Sequence, residues 1–427
     1  MRRNLLTTSI LAGAIISSAC GCNASGTASK NPSPFAGNWY GTIDAGGVKI
    51  DLTIYIDEAG KSILLDIPQQ NANDIPLTID YMSTDSLAFS LAEAGLSYRG
   101  RLTSDSTING TFEQQGMKFK LDFAKGELGD KPERVSPQEP QPPFNSEMRE
   151  VFFENKAAKV VLAGTLVYPE EFKKGQKVPV VLMVTGGGDL DRGKTKPFRV
   201  ITDYLARNGI ASLHYDKRGC GLSTGDYASA TISDFAEDAA YGLDFLKALG
   251  DFSQTGVIGH SEGGSVAYIL GGRGLTDFLV TMAGPATRMD TILSYQINAM
   301  MQASGVSSNP AISVVEARLM LLQQDDSPYN RHIIDFNPAA DVRKVACPVF
   351  ALICDKDLNV DPKMTLESLN KNLRQNPQNQ VKIYENLNHI FQHCNPDNPL
   401  ETTDGDELIS PDVPADIAKW INELRNN

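Results

Sequence analysis

Between residues 48 and 123, apolar side chains fall on every second position. Val48, Ile50, Leu52, Ile54 and Ile56 alternate with Lys49, Asp51, Thr53 and Tyr55. The same period returns at Ile63, Leu65 and Ile67, at Leu87, Phe89 and Leu91, at Leu96, Tyr98 and Leu102, and at Met117, Phe119, Leu121 and Phe123. Successive side chains of a strand point to opposite faces. Strict alternation broken by Gly, Asn and Asp therefore predicts antiparallel strands with one buried face. Residues 35–125 are expected to form a small antiparallel all-β domain, a sheet or a partly closed barrel. This stretch holds no histidine and displays no nucleophile–base pair. That favours a structural spacer over a module that binds an apolar ligand or a partner.

The period then changes. Residues 126–147 carry Pro132, Pro137, Pro140, Pro142 and Pro143 among polar residues, which predicts a semi-stiff linker and a domain boundary. Beyond it, residues 151–154 and 160–168 suggest an opening hairpin. Residues 178–185 (VPVVLMVT) form a continuous apolar run, the signature of a strand buried on both faces. Further strands are expected at 210–215, 255–259, 278–283, 348–354 and 381–384. Helices are expected at 198–208, 232–249, 262–270 and 416–424. In residues 232–249, Phe235, Ala239, Leu243 and Leu246 recur at three- and four-residue steps. Alternating strand and helix predicts an α/β domain over 148–427 with a doubly wound, mostly parallel sheet.

Composition narrows the function. The chain has 427 residues, with 39 Lys+Arg against 52 Asp+Glu and a net charge of −13. A nucleic-acid binder needs a basic footprint that releases phosphate counterions, and none is present. Met1-Arg2-Arg3, the apolar stretch 5–16 and the small residues Ser17-Ser18-Ala19 read as a secretory signal peptide over 1–19. Cys20 follows as in a bacterial lipobox, with Ser17 where that motif usually has Leu, and Cys22 is a second candidate. The expected protein is an exported, cell-envelope lipoprotein anchored at Cys20, with residues 20–34 as a tether. Simple cleavage into the periplasm is the alternative. Cys220, Cys347, Cys354 and Cys394 remain. Cys347 and Cys354 are expected on one strand, about 23 Å apart and too far to bridge. Cys354 with Cys394 is a geometric option, against four separate buried thiols.

The chemistry gathers around Gly259-His260-Ser261-Glu262-Gly263, a G-x-S-x-G pentapeptide. Roughly one chain in five of this composition carries such a match by chance. Its place between an apolar strand and a helix is what gives it weight, because a nucleophile elbow stands there. A serine hydroxyl needs a base. The chain has five histidines, and His389 and His393 lie in the loop after the last expected strand. His389 is the expected base, with His393 in reserve. The base needs an orienting carboxylate, and Asp357 is preferred to Asp355 in the turn after the penultimate strand. Thr185-Gly186-Gly187-Gly188 ends the strand expected beside the elbow. The Gly187 and Glu262 N–H groups are assigned to the oxyanion hole. No HExxH, no zinc-like Cys/His cluster and no G-x-G-x-x-G after a strand is present. Neither a metal nor an organic cofactor is expected.

Residues 148–427 resemble a serine α/β-hydrolase of the carboxylesterase and serine-aminopeptidase-like group. The carrying segments are TGGGDLDRG (185–193), YDKRGCGLS (215–223), GHSEGG (259–264), FNPAADVRKVACPVFALICDKD (336–357) and NHIF (388–391). The resemblance implies a triad of Ser261, Asp357 and His389. It also implies structural roles for Asp216, Arg218 and Gly219, and for Asp191 and Arg192. Thr185 departs from the histidine many relatives carry there, and Cys354 from a common glycine. Residues 285–345, with Met289, Ile292, Ile297, Met300, Met301, Leu319, Met320 and Leu322 at helical spacing, fall where such hydrolases carry a cap. Their methionines would line an adaptable acyl pocket or pack helix on helix. The expected function is hydrolysis of small-molecule carboxylic esters through an acyl-enzyme. A peptidase or amidase on the same triad, and a non-catalytic surface binding protein, are the alternatives.

Overall fold

The computed structural model describes residues 33–45, 48–67, 72–114, 117–126, 136–142, 144–303 and 310–425. The signal peptide, Cys20, Cys22 and nearly all of the tether lie outside them. Among the described residues, no helix is long and apolar enough to cross a membrane. The chain divides into two compact units, Met1–Arg134 and Val135–Asn427.

The first unit contains β1 (Gly37–Ala45), β2 (Val48–Ile56), β3 (Ile63–Ile67), β4 (Ala72–Met82), β5 (Ser86–Leu91), β6 (Leu96–Ser104), β7 (Thr107–Gln114), β8 (Met117–Lys120) and β9 (Phe123–Lys125). All pairings are antiparallel, and β6 pairs with β7 to close the ring. β8 and β9 line the same side of β7 in one register, with Thr111 opposite Lys120 and Ile108 opposite Phe123. They act as one strand interrupted at Leu121-Asp122, so the unit is an eight-strand antiparallel barrel. Closure is complete rather than partial. Its interior holds Trp39, Ile54, Phe89, Tyr98, Phe112 and Phe123, all buried. Tyr98 stacks on Phe89, and its hydroxyl donates to the Leu121 carbonyl at 3.2 Å. Gly100 and Gly110 stand opposite each other beneath that ring. A Cβ on Gly110 would meet the Tyr98 hydroxyl at 2.2 Å.

The second unit is a mixed α/β sheet. Its strands are β10 (Met148–Asn155), β11 (Val160–Val167), β12 (Val178–Val184), β13 (Ala211–Tyr215), β14 (Phe252–His260), β15 (Phe278–Met282), β16 (Val349–Cys354) and β17 (Gln380–Tyr384), in the order β10-β11-β13-β12-β14-β15-β16-β17. β10 and β11 form the expected antiparallel hairpin, and β13 through β17 run parallel. The apolar run of β12 divides between two cores. Val180, Leu182 and Val184 face α2 (Ile232–Leu249) and α3 (Glu262–Gly272). Val181 and Met183 face α1 (Lys196–Arg207) and the closing helix α9 (Asp412–Arg425). Between β15 and β16 lie α4 (Met289–Ala303), α5 (Val314–Gln324), α6 (Pro328–Ile333) and the short α7 (Ala339–Val342). α8 (Pro362–Asn372) follows β16.

Two expectations change. Residues 136–142, expected as linker, pack onto the second unit. Ser136 Oγ donates to the Asp406 carbonyl, and Gln138 Oε1 accepts the N–H groups of Leu408 and Ile409 at 2.5 and 3.1 Å. Glu139 is buried against Lys196 at 2.8 Å. Cys347 also falls two residues ahead of β16 rather than on it. Cys220, Cys347, Cys354 and Cys394 are free thiols, so the Cys354–Cys394 option is not taken.

Candidate active site

β14 ends at His260 and α3 begins at Glu262, leaving Ser261 alone in the turn with φ 52° and ψ −120°. A side-chain-bearing residue with positive φ is strained and persists only where its surroundings dictate it. Here the Ser261 N–H donates to the Met282 carbonyl, and the Ser261 carbonyl accepts the Gly264 N–H, both at 2.8 Å. The glycines let the turn sink into the sheet edge. A Cβ on Gly259 would meet the Gly263 carbonyl oxygen at 2.1 Å. One on Gly263 would meet the Val184 carbonyl oxygen at 2.2 Å. Together these features form the strand–turn–helix of a nucleophile elbow.

His389 lies in the loop after β17, with its Nδ1 2.8 Å from Asp357 Oδ2. A carboxylate accepts, so Nδ1 carries the proton and Nε2 keeps a lone pair. Asp357 is buried, and its Oδ1 accepts the N–H groups of Asn359 and Val360 at 2.7 and 2.9 Å. Asp355 is exposed and instead accepts the Asn386 N–H at 2.6 Å. His393, the reserve base, pairs with Glu407 at 2.8 Å. Among the described residues no hydrogen bond joins Ser261 to His389. The two are linked through His260, whose Nε2 lies 3.0 Å from the His389 carbonyl oxygen. A carbonyl only accepts, so His260 Nε2 donates. Burial and the neighbouring His389 push His260 down to about 4, which keeps it neutral.

Opposite the elbow, Gly186 to Gly188 leave β12, which lies parallel to β14 with Val184 beside Gly259. Gly188 N–H donates to the Tyr227 hydroxyl at 3.1 Å. The Gly187 and Glu262 N–H groups donate to no acceptor among the described residues. The loop after β13 is fixed by charge. Arg192 bonds Asp216 Oδ1 at 3.0 Å, and Arg218 bonds buried Asp238 at 2.6 and 2.7 Å. Gly219, with φ +73°, leaves no room for a Cβ against the Tyr227 nitrogen, 2.5 Å away.

Sequence reasoning missed three groups here. Lys217 is buried, and its Nζ donates to the Gly186 carbonyl at 2.6 Å and to Glu262 Oε1 at 2.7 Å. The Tyr329 hydroxyl, from α6, donates to Glu262 Oε2. The Tyr295 hydroxyl, from α4, donates to the Asp357 carbonyl at 2.7 Å. The only available signal was the position of Lys217 between two residues already assigned structural roles.

The chain is similar to several known proteins. The family described as "Serine aminopeptidase, S33" matches residues 178–323. Esterase EstD of Thermotoga maritima is 25% identical over 248 residues, covering 54% of this chain and 58% of its own. The chain thus spans somewhat more than half the length of that relative. Among solved structures, the Pyrococcus furiosus esterase Pf2001 aligns at TM-score 0.48 and 15% identity, over 66% of this chain and 92% of that one. Est1E from Butyrivibrio proteoclasticus, with ferulic acid bound, aligns at TM-score 0.46 and 15% identity, over 65% of this chain and 100% of that one. Residues 178–323 are thus similar to the family described as "Serine aminopeptidase, S33", and they lie within the mixed, mostly parallel α/β sheet described above.

Proposed function

We propose that the protein is a serine hydrolase that cleaves small-molecule carboxylic esters through an acyl-enzyme. The reading rests above all on the Asp357–His389 hydrogen bond of 2.8 Å beside a positive-φ serine at the sheet edge. His389 Nε2 takes the Ser261 proton as Oγ attacks the ester carbonyl. The Gly187 and Glu262 N–H groups hold the oxyanion, and His389 then protonates the departing alkoxide. Water, deprotonated by the same imidazole, releases the acid. In ligand-free sites the nucleophile–base contact often forms only once substrate is bound.

An aminopeptidase on this triad would need a free carboxylate to hold the substrate amine. Asp325 and Asp326, the cap acids considered for that role, are engaged within their own segment. Asp325 accepts from Asn330 at 3.1 Å, and Asp326 pairs with Arg331. This favours the ester reading. From residues 1–20 alone we also propose export to the cell envelope with a lipid anchor at Cys20, which labelling with a fatty-acid probe would test against Cys20→Ala.

Turnover of short and long p-nitrophenyl esters beside aminoacyl-anilides, for wild type and Ser261→Ala, tests the function. The expected result is ester turnover that falls about 10⁴-fold or more in Ser261→Ala. Anilide turnover alone would move the assignment to a peptidase. Equal rates in both proteins would remove the enzyme reading.

A further inference from the structure

The Lys217 ammonium touches two things that the mechanism uses separately. One is the Gly186 carbonyl oxygen, at 2.6 Å. That oxygen belongs to the same peptide unit as the Gly187 N–H. In a trans peptide the C=O and N–H point in opposite directions, so anchoring one aims the other. The second is Glu262 Oε1, at 2.7 Å, on the residue whose own N–H is the other oxyanion donor. The ammonium also lies over the Phe235 ring at 4.6 Å. Lysine and glutamate side chains are 4% and 6% exposed, so the pair sits in a low-dielectric setting. There, hydrogen-bonded groups polarise one another and an unpaired charge is costly.

We propose that Lys217 is a positioning residue for the oxyanion hole. Its ammonium fixes the plane of the Gly186–Gly187 peptide and polarises it, so that the Gly187 N–H carries more positive charge toward the developing oxyanion. Glu262 neutralises the ammonium and ties this peptide to the second donor. Tyr329, donating to the other oxygen of the same carboxylate, extends the tie to α6 of the cap. Both donors and one cap helix thus meet on one buried ion pair. A buried ion pair is weak evidence for stability, and a hydrophobic pair of similar volume often serves as well. Its placement behind the two donors is what suggests a role in the reaction.

The inference rests on the Ser261 reading, and the test separates the two. p-Nitrophenyl acetate turnover and binding of a short aliphatic trifluoromethyl ketone are measured together. With the ketone, Ser261 Oγ bonds the carbonyl carbon, its proton passes to His389, and the former carbonyl oxygen becomes the anion in the hole. Lys217→Met is expected to lower kcat by about 10- to 100-fold with KM within about twofold, less than the loss of a whole donor. Ketone affinity falls in parallel, while affinity for the corresponding non-fluorinated alcohol stays unchanged. Lys217→Gln with Glu262→Gln removes both charges and leaves no lone buried ion. It gives the same pattern and keeps the test readable if the single variant does not fold. Tyr329→Phe gives a smaller loss, about threefold in kcat. Folded Lys217 variants with unchanged kcat and ketone affinity, or with KM raised and kcat intact, would overturn the positioning role alone. Wild-type turnover in Ser261→Ala would overturn both readings.

Discussion

The barrel and the α/β unit handle charge in opposite ways. Among the described residues, the ion pairs of the barrel lie on its outside: Arg101–Asp85, Lys118–Glu113 and Lys120–Asp122. Its buried polar residues among those described are Thr53 and Gln114. The α/β unit buries whole charged networks next to the Ser261 turn, in Lys217–Glu262, Arg218–Asp238 and Asp216 with Arg192. Desolvating a charge costs several kcal/mol, so a fold selected for stability alone avoids it. The barrel follows that rule. The α/β unit departs from it at the loops that follow β12 and β13 and at the start of α3.

The contrast can be broken most forcefully at the elbow. Gly263→Ala places a Cβ 2.2 Å from the Val184 carbonyl oxygen and 2.7 Å from that of Thr185. The outcome expected is loss of soluble folded protein, or of nearly all turnover, read by size-exclusion chromatography and ester assay. Next in size is Arg218→Met, which leaves Asp238 with only Asn155, at 2.7 Å, as a neutral partner. Stranding a buried charge costs about 3–5 kcal/mol, measurable by urea titration.

A smaller effect concerns pH. Burial pushes His214 down to about 3 and His260 to about 4 from an ordinary 6.5. Below 6.5 the unfolded chain takes up protons that the folded chain refuses. Stability is therefore full above about pH 6.5 and falls toward about pH 4, by up to about 1.4 kcal/mol per pH unit for each histidine. His214→Gln should flatten the plot of Tm against pH in this window, and an unchanged slope would remove His214 from the account. Smallest of all, Arg101→Ala on the barrel exterior should leave Tm where it is, since such exposed pairs contribute little. A clear drop would contradict the contrast.

Where one rule governed a segment, the sequence revealed its structure. Alternation marked β2 and β3 because one face is wet, and the unbroken run of β12 marked a strand between two helical layers. The places of Ser261, Asp357 and His389 after β14, β16 and β17 were legible because the position of each strand in the sheet follows from order along the chain. Other segments served two demands at once. Asn109-Gly110 has the composition of a hairpin turn, yet it lies in the middle of β7, where Gly110 makes room for the Tyr98 ring. β4, which contains Pro76, was not among the expected strands. Pro362 stands at the first position of α8, where a missing N–H does no harm, and α8 was not among the expected helices. Lys217 was invisible for another reason. Nothing local distinguishes a lysine in a loop from one whose ammonium is buried by residues 31 and 45 positions away in the chain.

Gln138 brings a practical consequence for anyone wishing to work with the C-terminal half alone. Its side chain braces residues 408 and 409. Their neighbours Glu407 and Ser410 in turn hold Gln392 and Phe391, just past the imidazole. Trimming at the start of β10 would strip this brace two steps behind the His389 imidazole. A cut just ahead of Ser136 would keep it, so the proline-rich stretch is better treated as the first piece of the α/β unit than as expendable string.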